Sequence, residues 1–137
     1  MAAVAHAIPP SPAKLWTARI LTGIAVLFLT FDTVIKLIVI QPVTDSMTDL
    51  GYPVTLARTI GIIELACLII YLVPRTSVLG AVLWTGYLGG AIATHLRLGN
   101  PLPTHTLFPI YIALMLWGGL YLRDERLRAL LPFRTQE

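Results

Sequence analysis

A single cysteine, Cys67, is present, and it sits inside an apolar run. That excludes an internal disulfide and any CxxC redox pair, so thiol exchange would need a partner protein. Charge is nearly as scarce. Asp, Glu, Lys and Arg make up 12% of the 137 residues, about half of the ~25% usual for a soluble domain. The three histidines form no HExxH pattern and no Cys/His cluster, so no metal site is expected. No basic run carries interleaved aromatics, which argues against a nucleic-acid partner. No stretch alternates with period two, which argues against a membrane barrel. No repeat and no low-complexity tract is visible.

What is present is apolar. Hydrophobic residues make up 56% of the chain and the mean hydropathy is +0.78. Four apolar segments stand out, at residues 15–40, 57–73, 77–98 and 107–122. Each is near the ~20 residues that a helix needs to cross a bilayer, the second and fourth at the short end. Pro42, the LGYP stretch from Leu50, the VPRTS link from Val73 and the GNPLPTH stretch from Gly99 punctuate them. The VPRTS link is so short that segments two and three must be antiparallel neighbours. Lys14 and Arg19 precede the first apolar run as in a secretion signal. No small-residue cleavage site follows, so the segment is read as retained.

Lysine and arginine set the orientation. Lys14, Arg19, Arg75, Arg123, Arg126, Arg128 and Arg134 flank one side, and only Arg58 and Arg97 the other. The expected architecture is all-α: an integral membrane four-helix bundle with both termini in the cytoplasm. Residues 1–13 are expected to be a flexible tail, 14–123 the helical domain, and 124–137 a basic amphipathic tail on the membrane surface.

Polar residues then gather at a common depth. Asp32 lies ~12 Å from the outer end of segment one, Lys36 ~6 Å, and Glu64 ~10 Å into segment two. His95 lies ~5 Å from the outer end of segment three, with Arg97 at the boundary. Tyr111 is at a similar level and Tyr87 is deeper. A central Asp or Lys costs roughly 2.5–3.5 kcal/mol to insert, so such residues tend to be paired or functional. Lys36 is expected to snorkel outward. Its i, i+4 spacing from Asp32 also permits a pair. Asp32, Glu64 and His95 are the candidate catalytic or proton-handling groups. Lys36, Tyr87, Arg97 and Tyr111 are the candidate substrate-binding groups. A neutralised network that only fixes helix order is the structural alternative.

Gly86, Gly90 and Thr94 recur every four residues, a spacing that lets two helix backbones approach closely, within the chain or in a homodimer. Tyr87, Ala91 and His95 form the adjacent stripe. Trp16, Trp84 and Trp117 read as interface anchors or packing residues.

The stretches LGYP, GIIELACLIIYLVPRTSVLGA, GYLGGAIATHLR and WGGLYLRDERLRALLP together resemble the DoxX-like family of small bacterial membrane proteins. The resemblance spans residues 16–134 and implies a four-helix protein of the bacterial cytoplasmic membrane. Residues that look family-typical are Lys36, Glu64, Pro74, Arg75, Gly80, Tyr87, Gly89, Gly90, His95 and Arg97. Members of the wider group are described as subunits of quinone-linked oxidoreductases, and others accompany redox-defence complexes. The resemblance therefore implies a subunit that binds a quinone or similar lipophile, with electrons from a soluble or membrane redox partner. No cofactor motif is evident in the chain itself, and whether it is an enzyme stays open. A stand-alone acid/base enzyme, an isomerase or hydrolase acting on a lipophile, is the second reading. A non-catalytic scaffold is the third. A proton-coupled transporter ranks last, because four helices are few for alternating access.

Overall fold

Ser11 sets the start of the first helix: its hydroxyl accepts the Lys14 N–H at 3.4 Å, and Pro12 fills the first turn, where a missing N–H costs nothing. The computed structural model describes residues 10–131. Most of the expected N-terminal tail, with His6, and the end of the C-terminal tail, with Arg134, lie outside the described residues. The helix that Ser11 opens, α1 (Pro12–Ile38), stops at Val39, which takes a left-handed conformation at φ 55°. Pro42 then sits in the first turn of α2 (Gln41–Asp49). The LGYP turn leads into α3 (Leu56–Leu72) and the VPRTS link into α4 (Ser77–Leu98). A π-helical turn, Leu102–Thr106, precedes α5 (Phe108–Arg123), and a short α6 (Glu125–Leu130) follows. No strand occurs among the described residues.

The four apolar segments emerge as α1, α3, α4 and α5, with ends displaced by a few residues at most. Three stretches are long and apolar enough to cross a membrane: Pro12–Ile38, Ser77–Leu98 and Leu102–Arg123. The 17 residues of α3 span ~26 Å, short of the ~30 Å of a hydrocarbon core. Outward faces are apolar, with Leu27 74% and Leu114 65% exposed and Ile20, Ile24, Phe31, Ile62, Ile69 and Val82 alongside them. A continuous apolar exterior of this kind suits lipid and not water.

Inside, α1 packs against α3 and α5, and α4 packs against the same two. Ala25, Leu29, Leu68, Tyr71, Ala81, Trp84, Leu88, Ile112, Leu116 and Leu120 make the core. Trp84 is fully buried and so is a packing residue, whereas Trp16 is exposed as an interface anchor would be. Tyr71 donates its hydroxyl to the Leu116 carbonyl at 3.0 Å, which satisfies a buried O–H across the bundle.

Close backbone approach occurs at Gly80 and Gly119. A Cβ on Gly80 would collide with the Tyr71 backbone, and one on Gly119 with Thr22. The expected stripe of Gly86 and Gly90 does not do this: a Cβ at either position meets nothing within 4 Å. Small residues at a four-residue spacing mark one helix face, but the face here borders a cavity. The end of α3 is closed by side chains, since the Ser77 hydroxyl donates to the Tyr71 carbonyl at 2.7 Å and Thr76 to the Ile70 carbonyl at 2.8 Å. Arg128 donates to the Tyr121 and Leu122 carbonyls at the end of α5.

Between the first two apolar segments, where the sequence shows only Pro42 and the LGYP stretch, α2 occupies most of residues 41–56. Val43 and Met47, four apart, are buried with Ala57 in a second small cluster. The apolar pair is masked in the sequence by the Thr, Asp and Ser around it.

Candidate functional site

Lys36 organises the site. It projects from α1 toward α3 and α4, with only 18% of its side chain exposed. The expected outward snorkelling is thus replaced by an inward ion pair. Its Nζ lies 2.5 Å from Asp32 Oδ2, one turn earlier on α1, and 2.5 Å from Glu64 Oε1 on α3. It also donates to Tyr87 Oη on α4 at 3.2 Å. Tyr87 in turn donates its hydroxyl to Glu64 Oε1. One ammonium therefore joins three helices, and its attraction to two carboxylates offsets the cost of taking charge out of water.

The members differ in exposure. Glu64 is fully buried, while 28% of the Asp32 side chain is exposed. Glu64 Oε2 has no hydrogen-bond partner among the described residues. The Tyr87 ring stands edge-on to Trp84 at 5.5 Å between centroids, which fixes the phenol from behind. Gly61 admits α1 to α3 at this level, since a Cβ there would lie 3.2 Å from Leu37.

Asp32, Lys36 and Tyr87 line one wall of a cavity of about 770 Å³. That is within the range of small-molecule sites, roughly 300–1,000 Å³. Most of the remaining lining is apolar: Phe28, Leu29 and Ile35 from α1, Val43 and Met47 from α2, Ile60 and Ile63 from α3, and Phe108 and Ile112 from α5. Gly86, Gly90, Ala91 and Thr94 from α4 also line it, which is why the small-residue stripe meets open space. Glu64 stands behind Lys36 and Tyr87 and is not part of the lining.

The expected site residues separate into three groups. Asp32, Lys36, Glu64 and Tyr87 come together. His95 lines the same cavity but bonds elsewhere: its Nδ1 lies 2.8 Å from Asn100 Nδ2, and its ring meets His105 edge-on at 5.6 Å. Arg97 and Tyr111 lie outside the lining. Arg97 donates to the Leu50 carbonyl at 2.7 Å, tying the end of α4 to the end of α2. Tyr111 donates to the Pro103 carbonyl at 3.2 Å, holding the π-helical turn. Helices at one depth still differ in which way each residue faces, and between helices the sequence supplied depth alone. The sequence reasoning missed the α2 wall, for which the Val43/Met47 spacing was the available signal. It also missed the Tyr52–Thr94 hydroxyl pair at 2.8 Å, for which no signal existed.

Chemically, the cluster is a hydrogen-bonded set of ionisable groups, two carboxylates, a phenol and an ammonium, set against a mostly apolar space. No group of three or more His, Cys, Asp or Glu side chains converges among the described residues in a way that could hold a metal ion.

Residues 20–119 match the family model described as the DoxX-like family. No curated protein and no solved structure matches the chain.

Proposed function

The chain belongs to the DoxX-like family, and from that premise we propose that it is the lipophile-binding membrane subunit of an oxidoreductase, with a quinone-class molecule in the cavity. The observation that carries the reading is the apolar cavity walled on one side by the Asp32–Lys36–Tyr87 cluster. Apolar walls suit a ring and its tail, and a few convergent polar groups suit a head group. Asp32 and Glu64 exchange protons with the head group, Glu64 through the Tyr87 hydroxyl. His95 does so from its own place on the lining. Lys36 and Tyr87 hold the carboxylates in place, and Arg97 and Tyr111 act at one remove by fixing α2 and the π-helical turn. Reducing a quinone to its hydroquinone takes two electrons and two protons. The electrons come from a redox partner protein, and the carboxylates relay the protons.

In this reading α3 also crosses the bilayer, giving a four-helix bundle with both termini on the cytoplasmic side of a bacterial inner membrane. The excess of Lys and Arg at that side supports the orientation. Asp45 and Asp49 of α2 then face outward with the cavity.

One observation favours the scaffold alternative: all three protons of Lys36 Nζ are taken by protein groups. Photolabelling separates the two. A photoactivatable quinone analogue is expected to label α1 near Phe28 and Ile35 and α4 near Ala91. Labels confined to lipid-facing positions such as Leu27 and Leu114 would contradict the proposal.

A further inference from the structure

The hydrogen bonds already made inside the cluster restrict what the cavity can hold. Lys36 has three N–H donors, and they go to Asp32 Oδ2, Glu64 Oε1 and Tyr87 Oη. Tyr87 has one O–H, and it goes to Glu64. No donor of the cluster is left for a ligand. What is left is an acceptor. Asp32 Oδ1 receives no hydrogen bond from any described residue, and Asp32 lines the cavity. The sign of charge points the same way. With its three charged groups ionised, the cluster holds two negative charges against one positive.

The polar groups elsewhere on the lining leave Asp32 as the free acceptor of the cluster. Thr94 gives its hydroxyl proton to the Gly90 carbonyl, so it accepts the hydrogen bond from Tyr52, and both hydroxyl protons are engaged. His95 Nδ1 accepts from the Asn100 amide, so the neutral ring carries its proton on Nε2 and keeps one donor, outside the Asp32–Lys36–Tyr87 cluster. Ser46 and Thr59 also line the cavity, and both are exposed.

We propose that the cavity selects lipophiles by a hydrogen-bond-donating, non-anionic head group, a protonated amine or a hydroxyl, which Asp32 accepts. This rests on the reading of the cavity as a lipophile site and narrows it. While Asp32 is ionised, a head group that offers only carbonyl oxygens finds no free donor in the cluster. A carboxylate or phosphate meets surplus negative charge in a low-dielectric surrounding. Within a quinone couple, the hydroxyl-bearing reduced form donates to the ionised Asp32, and the oxidised form fits while Asp32 carries the proton that it relays.

The test uses probes that share one dodecyl chain and differ at the head: dodecylamine, dodecanol, methyl dodecanoate and dodecanoate. Occupancy is read by native mass spectrometry of the full chain in a neutral detergent, with Gly90→Leu as the blocked reference. A hydrogen bond to a charged group is worth enough to separate amine from carboxylate by about ten- to a hundredfold. The expected order is amine first, then alcohol, then ester, with carboxylate last. Asp32→Asn should bring amine and carboxylate to within a few-fold of one another. Should that variant fail to fold, the wild-type order still decides. Equal binding of all four heads, blocked by Gly90→Leu, overturns the selectivity and leaves the cavity as a lipophile site. So does a preference for ester or carboxylate. Binding that Gly90→Leu leaves untouched overturns both readings.

Discussion

Replacing Lys36 by methionine keeps an unbranched side chain, one heavy atom shorter, and removes its charge, which exposes how strongly the cluster is coupled. Glu64 is fully buried, and Lys36 supplies one of the two hydrogen bonds to its Oε1. Asp32 adds a second carboxylate with which Lys36 also pairs. Breaking a buried pair on one side leaves an uncompensated charge and costs about 3–5 kcal/mol. Glu64→Gln is milder. The amide oxygen still accepts from Lys36 and Tyr87, and Asp32 still balances the ammonium, so the loss is about 1 kcal/mol. In the double variant no buried carboxylate lacks its cation, and most of the Lys36→Met loss should be recovered. The coupling between the two positions is then about 2–4 kcal/mol, at the upper end of what neighbouring residues show. Trp84 is fully buried and touches Tyr87, so its fluorescence reports unfolding of this region. Equilibrium unfolding in mixed micelles of dodecyl maltoside and sodium dodecyl sulfate measures all four forms. Additive losses, or a Lys36→Met loss below about 1 kcal/mol, would refute the reasoning that the ammonium is what lets Glu64 be buried.

Gly80→Ala should cost about 1–3 kcal/mol, because the new methyl group meets the Tyr71 backbone. Gly90→Ala should be neutral or stabilising by about 0.5–1 kcal/mol, because its Cβ meets open space on a helix that gains rigidity. Thermal melts of the two variants in one detergent check the contrast. Tyr71→Phe removes the buried bond to the Leu116 carbonyl, which keeps its place in the α5 ladder, and should lower stability by about 0.5–1.5 kcal/mol. Arg97→Met frees the Leu50 carbonyl, and hydrogen exchange should rise over residues 41–52 with little change in α1.

The helices were legible because their signals are local. Four apolar runs bounded by Pro42, the LGYP turn, the VPRTS link and the GNPLPTH stretch are readable from the chain alone. The Asp32/Lys36 pair follows from a four-residue spacing on one helix. The choice that Lys36 makes is not local. Its stem reaches either the membrane surface or α3, and only the rotation of α3 and α4 about their axes decides that Glu64 and Tyr87 face it. The same rotation is why Arg97 and Tyr111, placed with the cluster by depth, end up holding α2 and the π-helical turn. Gly86 and Gly90 show the limit of a spacing argument. The period puts them on one face, and whether that face meets a helix or a cavity depends on where α1 and α2 lie. Gly80, where the chain does need a missing side chain, has no such period to announce it.

The most direct test is a native mass spectrum of the protein extracted gently from its own membrane, beside Gly90→Leu. The account predicts one bound lipophile on the wild-type chain and none on the variant, with both equally folded. A wild-type chain without a bound lipophile, or a mass retained when the cavity is filled, would contradict it.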